Sequence, residues 1–321
     1  MIITKTPYRV SFFGGGSDYF EWYSRFGGEV LTSTIDYYCY VCLRYMPKFL
    51  DTKYRIFWSQ TETPNRIQDI QHPGVRGCLE YLNIQKGIEI NHMGDLPARS
   101  GLGSSSAFTV GMLHALHLLE GNNIDKANLA KQAIAVEQDV LKETVGIQDQ
   151  IECAWGGLNH IKFHTNGEYS LQPLLLTDKV KQSAQDHLVL FFTDKQRFAS
   201  DIAADQINHI DKNKGQLHGI TNLVRPAAQA LKAGDIESFG KLLDESWMLK
   251  RSLSKKITSS GLDDIYDKAL KAGAYGGKLL GAGGGGFFLF CVPPDKRQAL
   301  IDSLGLIHIP FKFEYNGSHA I

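Results

Sequence analysis

The 321-residue sequence has no excess of either charge, no dense tract of Lys and Arg, and no apolar run long enough to cross a bilayer. Its 34 basic residues balance its 34 acidic residues, so it lacks the electrostatic pattern of a protein that binds nucleic acid or an anionic membrane surface. No secretory signal is visible at its start. We therefore expect a cytoplasmic protein, monomeric or homodimeric, whose partner is a small molecule.

Cysteines are few, and their spacing is not that of a disulfide framework or a zinc site. There are five, and only Cys39 and Cys42 form a C-x-x-C pair. This pair lies in an apolar segment predicted to be a strand, where residues three apart point to opposite faces. We expect buried thiols in a reducing compartment rather than a metal or redox site.

The sequence also lacks a Walker P-loop, because no Lys-Ser/Thr follows the second glycine of its glycine- and serine-rich segment, Leu96–Ala107. In this segment, glycines and serines lead directly into apolar residues spaced by four, four and three, namely Phe108, Met112, Leu116 and Leu119. The spacing predicts a helix that begins within the serine run and ends near Gly121. Because the first turn of a helix has N–H groups without intrahelical acceptors, it favours an anion such as phosphate. The alternative is an ordinary serine-capped helix after a tight turn.

Strands and helices alternate along the rest of the chain, which predicts the α+β class and two domains, residues 1–180 and 181–321. The boundary falls in the polar segment Leu176–Asp186. Predicted strands are Tyr8–Phe13, Val30–Ile35, Tyr37–Tyr45, Ile88–Met93, Leu158–Phe163, His187–Phe192 and Phe287–Val292. Predicted helices follow Asp125 to about Glu143, and cover about 200–211, 222–233, 235–250 and Leu262–Ala272.

Three glycine clusters stand where a strand meets a turn or helix: Gly14–Gly16, Gly101–Gly103 and Gly281–Gly286. Each one alone could be a tight corner. If all three border one cleft, their bare backbone would let a nucleoside triphosphate and a second substrate approach main-chain N–H groups. We expect that cleft to be the functional site.

The segments Thr6–Tyr19, Gly101–Ala107 and Gly277–Gly286 resemble, in order and spacing over essentially the whole chain, the three motifs of the GHMP kinases. The resemblance implies a ribosomal protein S5 domain 2-like N-terminal domain and a ferredoxin-like C-terminal domain. It also implies transfer of the γ-phosphoryl group of ATP to a sugar hydroxyl, with Mg²⁺. Within this family the sequence is similar to the D-glycero-D-manno-heptose 7-phosphate kinase branch through Phe12–Asp18, Gly146–Gln150, Ala154–Asn159, Leu249–Ser254 and Gly273–Lys278.

The resemblance also implies roles for individual residues. The ATP-binding residues would be Arg99, Ser100, Gly101, Leu102, Gly103, Ser104, Ser105, Ser106 and Ala107. Mg²⁺ would be bound by Ser105 and Glu137, and Asp149 would be the catalytic base or would orient the acceptor hydroxyl, with Arg9 beside it. The structural alternatives are a solvated helix carboxylate for Glu137, a turn cap for Asp149 and a surface arginine for Arg9.

The substrate-binding residues implied by the resemblance are Gly15, Gly16, Ser17, Asp18, Gly146, Arg197, Gly283 and Gly284. A phosphate on the substrate would need cationic donors, for which Arg197, Lys250 and Arg251 are the candidates. The expected acceptor is the anomeric hydroxyl of heptose 7-phosphate. The alternatives are another sugar 1-kinase, of the fucose, mannose or galactose type, and a non-catalytic sugar and ATP sensor on the same scaffold.

Overall fold

The structure is a computed structural model that describes residues 1–98, 100–194 and 199–321, with backbone only for residues 199–201. It confirms the α+β class. Its helices are α1 (Phe20–Phe26), α2 (Pro73–Tyr81), α3 (Ser104–Leu119), α4 (Lys126–Ala135), α5 (Gln148–Trp155), α6 (Asp178–His187), α7 (Ala199–Asn208), α8 (Lys214–Asn222), α9 (Val224–Ala233), α10 (Ile236–Ser252), α11 (Ser260–Lys271) and α12 (Arg297–Leu304). Short 3₁₀ turns cover Ile67–Asp69 and Pro294–Lys296, and a π-helical turn covers Val136–Val140.

The first sheet has the strand order β13–β1–β2–β5–β3–β4, with β6 and β12 also paired to β2, and β7 paired to β6. Its strands are β1 (Ile2–Phe13), β2 (Gly28–Tyr45), β3 (Tyr54–Phe57), β4 (Thr61–Glu62), β5 (Ile88–Gly94), β6 (Leu158–Phe163), β7 (Tyr169–Pro173), β12 (Phe313–Glu314) and β13 (His319–Ala320). Residues 313–320, which the sequence boundary assigns to the second domain, thus form strands of the first sheet.

The two strands predicted at Val30–Ile35 and Tyr37–Tyr45 are halves of one 18-residue strand, β2. Its pairing with β1 shifts register between Pro7 and Tyr8, which face Tyr38 and Ile35. Since proline has no N–H to donate, the ladder is interrupted where Pro7 stands. Beyond this point the two halves of β2 pair with different strands, β6 and β5.

Helix α3 confirms the predicted helix and lies against β1 and β2. A Cβ on Gly111 would stand 2.8 Å from Thr6 Oγ1, so the helix and sheet approach more closely than a larger residue would allow. Thr4 Oγ1 also donates to Gly111 O at 2.8 Å. This packing fixes the serine turn relative to β1.

The helix predicted to run from Asp125 to about Glu143 is shorter, because α4 ends at Ala135 and a π-helical turn follows. Asp125 caps its start as predicted, by accepting from Asn128 N–H at 2.8 Å. The wider π turn buries both Val136 and Glu137, although they are neighbours in sequence.

The second sheet is antiparallel, with the strand order β11–β8–β10–β9. Its strands are β8 (Leu188–Phe192), β9 (Gly276–Leu279), β10 (Phe287–Cys291) and β11 (Ile307–Ile309). Helices follow β8 and β10, which is the ferredoxin-like βαββαβ arrangement. A separate core around Trp247, Tyr266 and Phe288 fills one face of this sheet.

At the predicted domain boundary the structure has helix α6, which the sequence reading did not predict. Its start is capped by Thr177, whose hydroxyl accepts from Val180 N–H at 3.4 Å. Among its residues only Ala184 is buried, so its apolar periodicity is weak.

The five cysteines are all free thiols, and Cys42 alone among them is half-buried rather than buried. Burial raises the pKa of the Cys39 and Cys78 thiols well above their usual range. In the part of the chain that the structure describes, no helix is both long and apolar enough to traverse a lipid bilayer.

Candidate active site

The three glycine clusters meet in one cleft, as the sequence predicts. A Cβ on Gly101 would stand 2.7 Å from Leu280 O, and a Cβ on Gly281 would stand 2.5 Å from Gly101 Cα. Both glycines have positive φ, of +85° and +67°. Here only glycine allows the backbone of one cluster to lie directly against that of another.

Residues from both sheets line this cleft. They are Arg9, Ser11, Gly15, Gly16, Asp18, Tyr19, Gly101, Gly103, Ser104, Ser105, Ser106, Thr144, Val145, Gly146, Gln148, Asp149, Ala203, Gln206, Lys250, Leu253, Lys278, Gly281 and Ala282. Most of the residues predicted for ATP, substrate and catalysis are among them. Arg99 and Arg197 lie outside the residues that the structure describes.

The turn that the sequence predicts to bind phosphate, named here the phosphate-binding turn, consists of Gly103, in the left-handed conformation, and Ser104–Ser106 in the first turn of α3. The Leu102 side chain is fully buried, so this residue can offer only its backbone to a ligand. Ala107 N–H already donates to Gly103 O at 2.8 Å. The start of α3 therefore opens on the cleft with a glycine-serine backbone, which suits phosphate oxygens.

Arg9 connects this turn to Asp149, the first-turn carboxylate of α5. Its Nε and Nη2 atoms donate to the two oxygens of Asp149 at 2.7 and 2.6 Å, and Nη1 donates to Gly101 O at 2.7 Å. Its backbone N–H donates to Leu102 O at 3.0 Å. Burial opposes the charge of the Arg9 guanidinium, but the adjacent Asp149 raises its pKa. The structure thus brings together Arg9 and Asp149, as the resemblance implies.

Gln148 is a part of this arrangement to which the sequence reading gave no role. Its Nε2 donates to Asp149 Oδ1 at 3.1 Å, and its Oε1 accepts from Ser11 Oγ at 2.8 Å. Both Gln148 and Ser11 are buried and line the cleft. Ser11 thus positions Gln148, and Gln148 positions the Asp149 carboxylate. Only the tertiary structure brings strand β1 to this point.

Glu137 is fully buried beneath the phosphate-binding turn. Ser106 Oγ and Gln150 Nε2 both donate to its Oε2, the former at 2.9 Å. Burial, followed by the nearby Glu143, raises the pKa of Glu137 to about 8. The resemblance implies that Glu137 and Ser105 both bind Mg²⁺; in the structure Ser106 is the serine that contacts Glu137, and Ser105 is exposed in the cleft. Successive residues of a helix point about 100° apart, so only one of the two serines can face Glu137.

The other oxygen of this carboxylate, Glu137 Oε1, is buried and has no hydrogen-bond partner among the described residues. Such an oxygen is costly unless something binds it. A hard divalent cation takes carboxylate and hydroxyl oxygens as ligands, so the oxygen atoms that Glu137 and Ser105 offer are of the type that Mg²⁺ prefers.

Asp18 lies across the cleft in a loop that needs glycine. Gly16 N–H donates to Asp18 Oδ1 at 3.0 Å. A Cβ on Gly146 would stand 1.9 Å from Asp18 Oδ2, which leaves no space for any other residue there. Burial, followed by the nearby Asp149, raises the pKa of the Asp18 carboxyl. Two carboxylates therefore border the space between the Gly15–Gly16 turn and the phosphate-binding turn.

Ser17, Gly283 and Gly284 are not in the cleft lining, in contrast to the expectation that they contact substrate. Ser17 is fully buried, and its hydroxyl lies 2.8 Å from Gly14 O, where it holds the loop together. Gly284 N–H donates to Ile257 O at 2.8 Å, so its donor is already used. Gly281, at the start of the same cluster, lines the cleft instead.

Of the candidate phosphate-binding cations, Lys250 lines the cleft and Arg251 does not. Arg251 Nη2 is paired with Asp263 Oδ1 at 2.9 Å. Lys278 also lines the cleft, and the sequence reading assigned it no role. A lysine within the buried strand β9 is itself an unusual signal, since lysine is rarely buried without a reason.

Comparison with protein families gives matches to two parts of the chain. Residues 74–157 match the model of the GHMP kinases N terminal domain, and residues 227–306 match that of the GHMP kinases C terminal. The first match contains the phosphate-binding turn and Asp149. The second contains Lys250, Lys278 and the third glycine cluster.

Two curated relatives cover nearly the whole chain. A D-glycero-alpha-D-manno-heptose 7-phosphate kinase of Campylobacter jejuni is 30% identical over 317 residues, which are 94% of this chain and 93% of the relative. A galactokinase of Pyrococcus furiosus is 29% identical over 94% of this chain and 92% of its own.

Solved structures agree with the fold. A crystal structure of a D-glycero-D-manno-heptose 1-phosphate kinase from Bacteroides thetaiotaomicron has a TM-score of 0.82 at 24% identity, covering 100% of this chain and 99% of its own. Lactococcus lactis galactokinase complexed with galactose has a TM-score of 0.76 at 20% identity, covering 100% and 94%. The chain therefore belongs to the GHMP kinase family and is an ATP-dependent kinase that phosphorylates a hydroxyl group.

Proposed function

We propose that this kinase transfers the γ-phosphoryl group of ATP to the anomeric hydroxyl of D-glycero-D-manno-heptose 7-phosphate, giving the 1,7-bisphosphate. The observation that carries the proposal is the place of Asp149, whose Oδ2 lies 3.3 Å from where a Cβ would stand on Gly103. The carboxylate thus borders the phosphate-binding turn on one side and the Asp18 loop on the other. The Campylobacter relative named above supports the heptose 7-phosphate assignment.

ATP is bound, in this proposal, by the loop from Ser100 to Ala107 and by Arg99. Backbone N–H groups of the first turn of α3 meet the phosphate oxygens, with the helix macrodipole adding about half a positive charge. Gly101 and Gly103 leave room for the close approach of the triphosphate.

The Asp149 carboxylate accepts a hydrogen bond from the acceptor hydroxyl and orients it toward the γ-phosphorus. As the new O–P bond forms, the bond from the γ-phosphorus to the bridging oxygen breaks, ADP leaves, and the hydroxyl proton passes to Asp149 or through it to solvent. Arg9 and Gln148 fix the carboxylate, so the transfer needs little reorganisation of the site.

Glu137 and Ser105 would hold Mg²⁺, which neutralises charge on the β- and γ-phosphates. Ser106 positions Glu137 through the hydrogen bond described above. The buried, unpartnered Oε1 of Glu137 supports this assignment.

The acceptor sugar is bound by Asp18 with the backbone of Gly15, Gly16 and Gly146. Gly15 and Gly16 carry no side chains, so they leave space for a larger or phosphorylated sugar. Ser17 supports this loop rather than contacting the sugar.

The test is an ADP-release assay on the full chain with heptose 7-phosphate, mannose, fucose and galactose, and with ³¹P spectroscopy of the product. We expect kcat/KM for heptose 7-phosphate to exceed that of each other sugar by about tenfold or more. A preference for galactose or fucose would overturn the heptose assignment. Tight sugar binding without ADP release above the no-sugar rate would favour the sensor alternative.

A further inference from the structure

Two buried lysines border the cleft from the second sheet. Lys250, on α10, donates to Leu279 O at 2.9 Å and to Gly281 O at 2.5 Å. Lys278, on β9, donates to Phe12 O at 2.9 Å. They are only 8% and 3% exposed, yet both line the cleft.

The N–H donors of these two lysines are not all hydrogen-bonded to described residues of the protein. An ammonium has three N–H donors, and within the described residues Lys250 uses two and Lys278 uses one. All three acceptors are neutral carbonyls. The remaining donors belong to groups whose burial costs free energy unless a negative charge lies near them.

Among the described residues that line the cleft, the charges do not balance. Arg9 and Asp149 neutralise each other as a bidentate ion pair. Two lysines then remain against one carboxylate, that of Asp18. The imbalance is reflected in the lysines themselves: burial and the positive charge of Arg9 lower the pKa of Lys250 to about 7, and burial and Lys250 lower the pKa of Lys278 well below its usual range. An anionic group of a ligand would favour the protonated form of both amines, so the cleft is complementary to a ligand that carries a further anionic group.

The partners proposed for the nucleotide lie mainly on the first-sheet side of the cleft. Its triphosphate would be neutralised by the first turn of α3 and by the cation held at Glu137, both on the first-sheet side of the cleft. Lys278 instead contacts Phe12 O, two residues before the Gly14–Gly16 turn that leads to Asp18. Lys278 therefore stands beside the loop assigned to the acceptor, and Lys250, through Gly281, borders Gly101 beside the phosphate-binding turn.

We propose that Lys250 and Lys278 form a phosphate subsite that binds a phosphate group already carried by the acceptor sugar. This inference rests on the proposed function, because it concerns the second substrate of the same cleft. It also replaces Arg251, which is committed to Asp263, as the cationic partner of the substrate.

The test compares a phosphorylated acceptor with its unphosphorylated parent: heptose 7-phosphate against heptose, and mannose 6-phosphate against mannose. Lys278→Met and Lys250→Met remove the charge and keep similar volume. Each should lower kcat/KM for the phosphorylated sugar by about 10- to 100-fold, the usual loss for a charge-assisted hydrogen bond, while the parent sugar changes by less than about threefold. The control is Lys268→Met, at an exposed position on α11, which should change neither.

A second measurement separates a phosphate-binding role from a structural one. Calorimetric titration of wild-type enzyme with mannose 6-phosphate, in buffers of different ionisation enthalpy near pH 8, should reveal proton uptake, because a bound phosphate raises the pKa of the lysines. Both Met variants should lose this uptake.

Equal losses for phosphorylated and parent sugars, or a rise in the KM for ATP with both, would overturn the subsite and place the lysines at the transferred phosphoryl group. A preference of the wild-type enzyme for a neutral sugar would overturn the proposed function, and this result is independent of the test of the subsite. Binding and proton uptake with mannose 6-phosphate would still decide the subsite in that case.

Discussion

Replacing Asp149 by Asn tests the central feature of the site, because it removes the charge of the carboxylate while keeping its shape. The Arg9 side chain is 5% exposed and that of Asp149 is 25% exposed, and two short hydrogen bonds join them. Asn has one carbonyl oxygen, so one of these N–H groups would face an NH₂ group instead. We expect kcat to fall on the order of 10²-fold or more, equivalent to about 2.7 kcal/mol of barrier, with the KM for ATP nearly unchanged.

The same substitution should also destabilise the fold. It leaves the buried Arg9 guanidinium without its counter-ion, and breaking a buried pair in this way costs roughly 3–5 kcal/mol. Because Asp149 is partly exposed to the cleft, we expect the lower end of this range in urea unfolding. Asp69→Asn, which removes a surface carboxylate from its pair with Arg66, is the matched control and should change the free energy of unfolding by less than about 1 kcal/mol.

A double variant separates the catalytic effect from the structural one. Arg9→Met combined with Asp149→Asn removes both charges, and the unfolding free energy should recover most of what Asp149→Asn alone loses. The ADP-release rate should remain low, because the Asp149 carboxylate, which orients the acceptor hydroxyl and accepts its proton, is still missing. If kcat in Asp149→Asn stays within about threefold of wild type, or returns in the double variant, the assignment of Asp149 to the mechanism is wrong.

Three further outcomes are expected. Ser105→Ala should raise the Mg²⁺ concentration for half-maximal rate by about tenfold or more, whereas Ser106→Ala should lower the unfolding free energy by about 1–3 kcal/mol; an unchanged Mg²⁺ requirement would remove Ser105 from the metal site. Burial raises the pKa of Glu152 to about 8, so its carboxyl stays protonated in the fold, and the stability that it contributes is present below about pH 4.5 and is lost as pH rises through 8. Glu152→Gln should flatten this decline by up to about 1.4 kcal/mol per pH unit, and an unchanged slope in urea unfolding between pH 5 and 8 would contradict it. Gly281→Ala should raise the KM for ATP, because the new Cβ would stand 2.5 Å from Gly101 Cα, beside the phosphate-binding turn. Gly305→Ala is the control and should leave this KM unchanged, because Gly305 has a similar positive φ but open space around it. Equal effects of the two glycine variants on the KM for ATP would show that close approach at Gly281 is unimportant.

Local patterns predicted some of the elements that carry the site, but not helix α5, which carries Asp149, or strand β9, which carries Lys278. The apolar spacing after the serine run predicted α3, and alternation predicted β1 and β5. These succeeded because each depends on neighbours within a few residues. Helix α6 was missed, since it buries a single alanine and its own sequence is largely polar. The π turn at Glu137 was missed because a change of helical pitch leaves no mark in apolar spacing.

The sequence by itself determined that three bare-backbone clusters and a serine-capped turn suit a phosphate, because glycine and the first turn of a helix have these properties wherever they stand. Only the tertiary structure decided which residues of these segments meet which partners. Ser106 rather than Ser105 contacts Glu137, and Gly281 rather than Gly283 lies against Gly101 beside the phosphate-binding turn. The physical reason is direction. A step of one residue turns a helical side chain by about 100°, and whether it then meets a carboxylate or water depends on segments far away in the chain. For the same reason Lys278 is not distinguished from other lysines by the sequence, and it becomes a buried amine with one of its three donors used only when β9 lies beside Phe12.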